Sequence, residues 1–352
     1  MDERIYLPPP DEGEDFSLTG ERVKEARRAF SRSFLFIAVY IVSALVFLYG
    51  TTIAIMLIFG SVLGGAIVGS LAYTWIMQVL SMYIFTLPLS YLIVKRIPRV
   101  KKAASRLSLQ EFVVLFFVSY GAMTLGSVIS NVFTNILSAI LGYTVNNDTS
   151  DLILDTPVWI VILVAVIIGP IFEELIFRKI LIDRMSVYGD RLAIVVSAVS
   201  FGIFHGNFSQ VLYATAIGFI FGYVYSKTRN VIYTSLLHIL LNFMGTVPTL
   251  LISDNLERII AMSDVANPTI EQTFAIYPDV LTVYGVLIAQ WIIALTGIGF
   301  LIYVLVKKLI KLPSHREIAL PARTLTKAVL FNAGAIIYLV VVAFEFLLSI
   351  LP

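Results

Sequence analysis

Residues 157–178 read Pro-Val-Trp-Ile-Val-Ile-Leu-Val-Ala-Val-Ile-Ile-Gly-Pro-Ile-Phe-Glu-Glu-Leu-Ile-Phe-Arg. The run is uncharged as far as Phe172, then carries two glutamates and an arginine. About 20 apolar residues cross about 30 Å of hydrocarbon as a helix, so 157–177 reads as a membrane span. An ionisable side chain at that depth is costly and marks a functional candidate by default.

Working outward, eight further apolar runs are legible at 34–58, 70–94, 112–141, 192–207, 210–226, 231–252, 280–306 and 328–350. The stretch holding Gly60, Gly64, Gly65 and Gly69 has no charge, so the first two runs form either a hairpin or a longer irregular pair. The expectation is an all-α, polytopic integral membrane protein with about eight to nine transmembrane helices. Composition agrees: the 352 residues are 59% hydrophobic and 14% charged, whereas about a quarter of a soluble domain is charged. A water-soluble enzyme is excluded. A net charge of +2 implies no nucleic-acid partner, because a basic groove needs clustered excess charge. The absence of cysteine removes disulfides, thiolate catalysis and Cys-ligated metal.

The chain divides into a polar tail at 1–32 with Pro8, Pro9 and Pro10 in series, N-terminal helices at 33–154 and a polar-bearing core at 155–252. A loop follows at 253–279, with room for a small helix, and then C-terminal helices at 280–352. The tail lacks the apolar segment of a cleaved signal. With nine alternating spans, 24 of the 25 Lys and Arg fall on the N-terminal side, and only Arg258 falls on the other. Cytoplasmic loops carry the excess of Lys and Arg, so the N-terminus is expected in the cytoplasm and the C-terminus outside. No transporter-like inverted repeat is evident.

Six ionisable groups lie at membrane depth: Glu173, Glu174, Arg178, His205, His238 and Glu345. Five fall between 173 and 238, while His315 sits in a basic loop beside Arg316. Glu174 and Arg178, at i and i+4, share a helical face and can pair. Glu173 points about 100° away, which leaves it free for acid–base chemistry. Phe201-x-x-x-His205 ends the next run, and the turn near Asp190 puts His205 15 residues beyond it and Glu173 17 residues before it. On antiparallel helices these two reach the same depth. His238-x-x-x-Asn242 puts an imidazole and a carboxamide on one face of the next helix.

These groups suit hydrolysis by activated water. A desolvated carboxylate is a competent general base; a histidine can orient the water and protonate a leaving amine, and a His–Asn pair can bind an oxyanion. Glu173, His205 and His238 are also a catalytic zinc ligand set, so zinc is the one cofactor the residues admit. Metal-free and metal-assisted versions both remain open. Intramembrane carboxylates and histidines also relay protons in transporters, and a scaffold could keep the same groups for packing. Glu345, alone in the last run, reads as a snorkelling interfacial carboxylate. Asn131 and Asn135 read as interhelical hydrogen-bonding groups without a catalytic role.

In order, Glu173-Glu174-x-x-x-Arg178, Phe201-x-x-x-His205 and His238-x-x-x-Asn242 resemble the signature of the intramembrane CAAX-protease and bacteriocin-processing (ABI) family. The resemblance covers roughly residues 155–250. It implies a CAAX-protease-like helical core with a cytoplasm-facing intramembrane cavity, and endopeptidase cleavage of a membrane-associated peptide or protein. By the same resemblance Glu173 is the water-activating base and His205 its partner, Glu174 and Arg178 hold the geometry, and His238 and Asn242 bind the oxyanion. Bacterial members are linked to bacteriocin self-immunity, peptide maturation or scaffolding, and the basic loops and short tails resemble a bacterial, cell-membrane member.

Overall fold

The computed structural model describes residues 16–100, 105–145, 153–154, 156–265, 267, 269–311, 318 and 320–351. Pro8 to Pro10, Arg4, Lys101, Lys102, His315 and Arg316 lie outside them. All the regular structure described is helical. In chain order the elements are α1 (Phe16–Val68), α2 (Leu71–Val94), α3 (Leu109–Leu141), α4 (Val158–Tyr188), α5 (Asp190–Phe204), α6 (Phe208–Thr228) and α7 (Val231–Leu251). The short α8 (Ser253–Ser263) and α9 (Ile270–Ala275) precede α10 (Tyr277–Val306), α11 (Ala322–Leu330) and α12 (Ala333–Leu348).

Seven of the described helices are long and apolar enough to cross a membrane, and an eighth span is possible if α11 and α12, bent by 53°, count together. The nine-span expectation is corrected at α5. Its 15 residues rise about 22 Å, short of the hydrocarbon thickness. The chain still reverses there, because α5 and α6 form a hairpin whose open end is closed by an ion pair of Arg229 with Asp190. The expected tail is also corrected, since α1 begins at Phe16. Within residues 20–32 the charged side chains hide an amphipathic pattern: Ala26 and Phe30, one turn apart, are buried, and Phe30 meets Tyr188 at 5.2 Å.

Few polar residues are spare in so apolar a chain, and several stop and start helices. Ser108 and Glu111 form a reciprocal capping box at the start of α3, satisfying two N–H groups that a helix leaves open. Asn207, Asn230 and Asn332 cap α6, α7 and α12. Gly60 departs from helical geometry inside α1, which accounts for the irregular glycine stretch in the sequence.

Two features position the site. First, the end of the bundle near residue 183 is tied by a buried polar network. Tyr225 donates to Asp183 at 2.8 Å, Arg229 lies 3.5 Å from Asp183, and Arg184 donates to the Val94 carbonyl at 2.9 Å. The ends of α2, α4 and α6 and the residue closing α6 are thereby fixed together. Second, α5 and α6 pack backbone to backbone at Gly202, where a methyl group would land on Thr215 and the Val211 carbonyl. Small residues permit such approach between membrane helices.

Candidate active site

α4 supplies the carboxylates. Around Gly169-Pro170 its turns widen to π-helical geometry over Ile162–Ile168 and Leu175–Ile182. Proline removes a helical hydrogen bond and crowds the preceding turn; widened turns are a local accommodation that recurs at functional sites. Glu173 and Glu174 sit between these two stretches.

The adjacent glutamates have different surroundings, as the helical spacing implies. Glu174 and Arg178 are fully buried, with Oε2 and Nε 3.0 Å apart. The guanidinium lies over the rings of Phe201 at 4.5 Å and Phe221 at 5.5 Å, so aromatic faces contact the parts of the cation that the carboxylate leaves uncovered. Glu173 keeps 22% of its side chain exposed.

α7 brings His238 between the two carboxylates. Nδ1 donates to Glu174 Oε1 at 3.1 Å, and Nε2 stands 3.6 Å from Glu173 Oε2. By helical rise, Glu173 lies about 15 Å from Asp183 and His238 about 13 Å from Arg229, and those two ends are joined at 3.5 Å. The shared depth thus follows from the network at the bundle end. His205 ends α5, and its Nδ1 donates to the Phe201 carbonyl at 2.9 Å. In the neutral ring this leaves Nε2 as a hydrogen-bond acceptor.

Phe201 organises the group. Its ring meets His205 edge-on at 5.0 Å and His238 at 5.7 Å, and carries the Arg178 guanidinium. Asn242 shares the His238 face but donates to the Ala165 carbonyl of α4 at 3.1 Å, so it joins α7 to the helix bearing the glutamates. Sequence reasoning assigned no part to Phe221, Tyr83 or Phe172, the last two stacked at 4.5 Å beside Glu173. No periodicity marks them, because each comes to the site through tertiary packing.

In this arrangement no three His, Asp or Glu side chains among the described residues are placed to hold one metal ion. Glu173, His205 and His238 therefore do not fit zinc as they stand. Glu345 is also corrected. Its carboxyl packs on Gly206, immediately after His205, and Oε2 is buried, unlike a snorkelling group.

A helical membrane protein with a buried Glu–Arg–His cluster beside a more open glutamate is the class defined by fold and site. Residues 155–244 match the family described as type II CAAX prenyl endopeptidase Rce1-like. It is 36% identical over 84 residues to a Bacillus subtilis (strain 168) protein named "Putative membrane peptidase YdiL", covering 24% of this chain and 34% of that one. It is 32% identical over 113 residues to "UPF0177 protein YxdF" of Lactococcus lactis subsp. lactis (strain IL1403), covering 32% of this chain and 61% of that one. The chain thus spans about one third and three fifths of these relatives' lengths. No solved structure matches it.

Proposed function

We propose that this protein is an intramembrane endopeptidase that hydrolyses a peptide bond of a membrane-associated protein or peptide, with Glu173 as general base. The supporting observation is the unequal treatment of adjacent carboxylates: Glu174 is engaged by Arg178 and His238, while Glu173 is partly open and 3.6 Å from His238.

Glu173 takes a proton from water as the hydroxide adds to the scissile carbonyl. His205 Nε2 accepts the water's other hydrogen bond and so directs its lone pair. The oxyanion accepts from the second amide hydrogen of Asn242, while the first holds Ala165. His238, whose Nδ1–H is on Glu174, adds a donor at Nε2 only when both ring nitrogens carry a proton. Collapse breaks the C–N bond, the protonated Glu173 delivers its proton to the departing nitrogen, and the carboxylate is restored. A base, a water-orienting group and oxyanion donors together supply the main terms of such catalysis. The basic loops favour a cytoplasmic N-terminus and a site in the cytoplasmic half of the bilayer.

The test is purified protein in liposomes with membrane-anchored peptides, read by mass spectrometry. Cleavage lost in His205→Ala while the protein still accumulates supports the reading. Undiminished cellular function in both Glu173→Ala and His205→Ala assigns the chain to scaffolding instead. Cleavage lost to a chelator and restored by zinc would require the side chains to rearrange around an ion.

A further inference from the structure

The last helix, α12, lies outside the family-matched segment, yet it grips both flanks of the turn that carries His205. Tyr338 donates to the Ser200 carbonyl at 2.9 Å, just before Phe201. Phe346 meets Phe208 edge-on at 4.7 Å, at the start of α6. Between these contacts Glu345 covers Gly206.

Gly206 has φ +65°, in the left-handed region that favours glycine. A Cβ there would stand 3.0 Å from Glu345 Cβ and 3.2 Å from Oε2. The turn's own bonds hold its backbone: Gly206 N–H donates to Ile203 at 3.1 Å, the His205 N–H to Gly202 at 3.4 Å, and the Asn207 amide to the His205 carbonyl at 2.8 Å. These bonds fix the turn's shape, while Glu345 is the side chain packed over its left-handed glycine. Glu345 Oε2 is buried and makes no hydrogen bond with the described residues. A carboxyl in such a setting is costly, and among the described residues none donates to Oε2.

We propose that Glu345 is a positioning residue: its side chain, packed on Gly206, holds the turn that sets the His205 imidazole toward Glu173. The catalytic consequence rests on the peptidase reading; the positioning itself does not.

The full chain is tested in liposomes as wild type, Glu345→Gln and Glu345→Ala. One readout is cleavage of a membrane-anchored peptide; the other is the rate of diethylpyrocarbonate modification of His205 relative to His238, by mass spectrometry. Glu345→Ala should lower kcat about 10- to 100-fold, the effect of a displaced catalytic group, with KM little changed. It should also raise the relative modification of His205 severalfold. Glu345→Gln, which keeps the volume over Gly206, should restore both readouts close to wild type.

A Glu345→Ala protein with unchanged His205 modification overturns the proposal. So does a KM-only effect, which would place Glu345 in contact with substrate, or a Glu345→Gln protein as impaired as Glu345→Ala, which would assign the role to charge. If wild type cleaves no peptide, the peptidase reading fails, and the modification ratio decides positioning alone.

Discussion

The His238 imidazole donates from Nδ1 to Glu174 at 3.1 Å. That bond joins α7 to α4 and orients the ring so that its other nitrogen faces Glu173 at 3.6 Å. Glu174 also meets Arg178 at 3.0 Å, so one buried carboxylate serves two cationic or donor groups. Under the proposed reading Glu174 holds the site and Glu173 reacts.

Arg178 should be required for the fold. Removing one member of a buried ion pair leaves the other charge uncompensated and costs about 3–5 kcal/mol. Arg178→Ala should lower the thermal midpoint in detergent strongly. Arg178→Lys should recover it only in part, since an ammonium lacks the planar stack on Phe201 and Phe221. A midpoint unchanged in Arg178→Ala would contradict the Glu174 pairing.

Phe201 should matter for both stability and turnover. Truncating a buried phenylalanine costs about 3–5 kcal/mol, and Phe201 touches Arg178, His205 and His238. Phe201→Leu should retain most of the stability while losing cleavage, measured by thermal unfolding and peptide turnover on the same preparation. Full activity in Phe201→Leu would show that the edge contacts with the histidines are dispensable.

The absence of cysteine makes sidedness directly measurable. Single-cysteine Lys95→Cys and Glu257→Cys proteins, treated with an impermeant maleimide in intact cells, should label only at 257. Labelling at 95 from outside would reverse the orientation read from the basic loops.

Arg258 and Asn255 clamp α8 to the start of α10 through Asp279, with bonds of 2.7–3.0 Å. Arg258→Ala should speed amide exchange across residues 253–263 and leave cleavage unchanged. A large loss of turnover would make α8 part of the substrate path.

How much was legible in the sequence depended on whether a relationship runs along one helix or between helices. Glu174 with Arg178 is an i, i+4 relation, readable from helical pitch alone. The common depth of Glu173 and His205 was legible because one hairpin joins their helices. The shortness of α5 was not: the run at 192–207 reads as a span, whereas the helix ends at Phe204, ahead of His205-Gly206 and the cap at Asn207. Asn242 shares a face with His238, but its partner, the Ala165 carbonyl, is a backbone group that no side-chain pattern reveals. Glu345 lies 139 residues from Gly206, and its isolation in an apolar run resembled an interfacial residue until packing placed it. The start of α1 was hidden because its charged residues sit on a helix whose buried stripe is only Ala26, Phe30 and their neighbours.

The most direct measurement compares wild type with Glu173→Gln, which keeps shape and removes the base. With the thermal midpoint unchanged, Glu173→Gln should lower peptide cleavage about 100-fold or more, the usual contribution of a positioned general base. Equal turnover in the two proteins would contradict the assignment of Glu173 as the group that activates water.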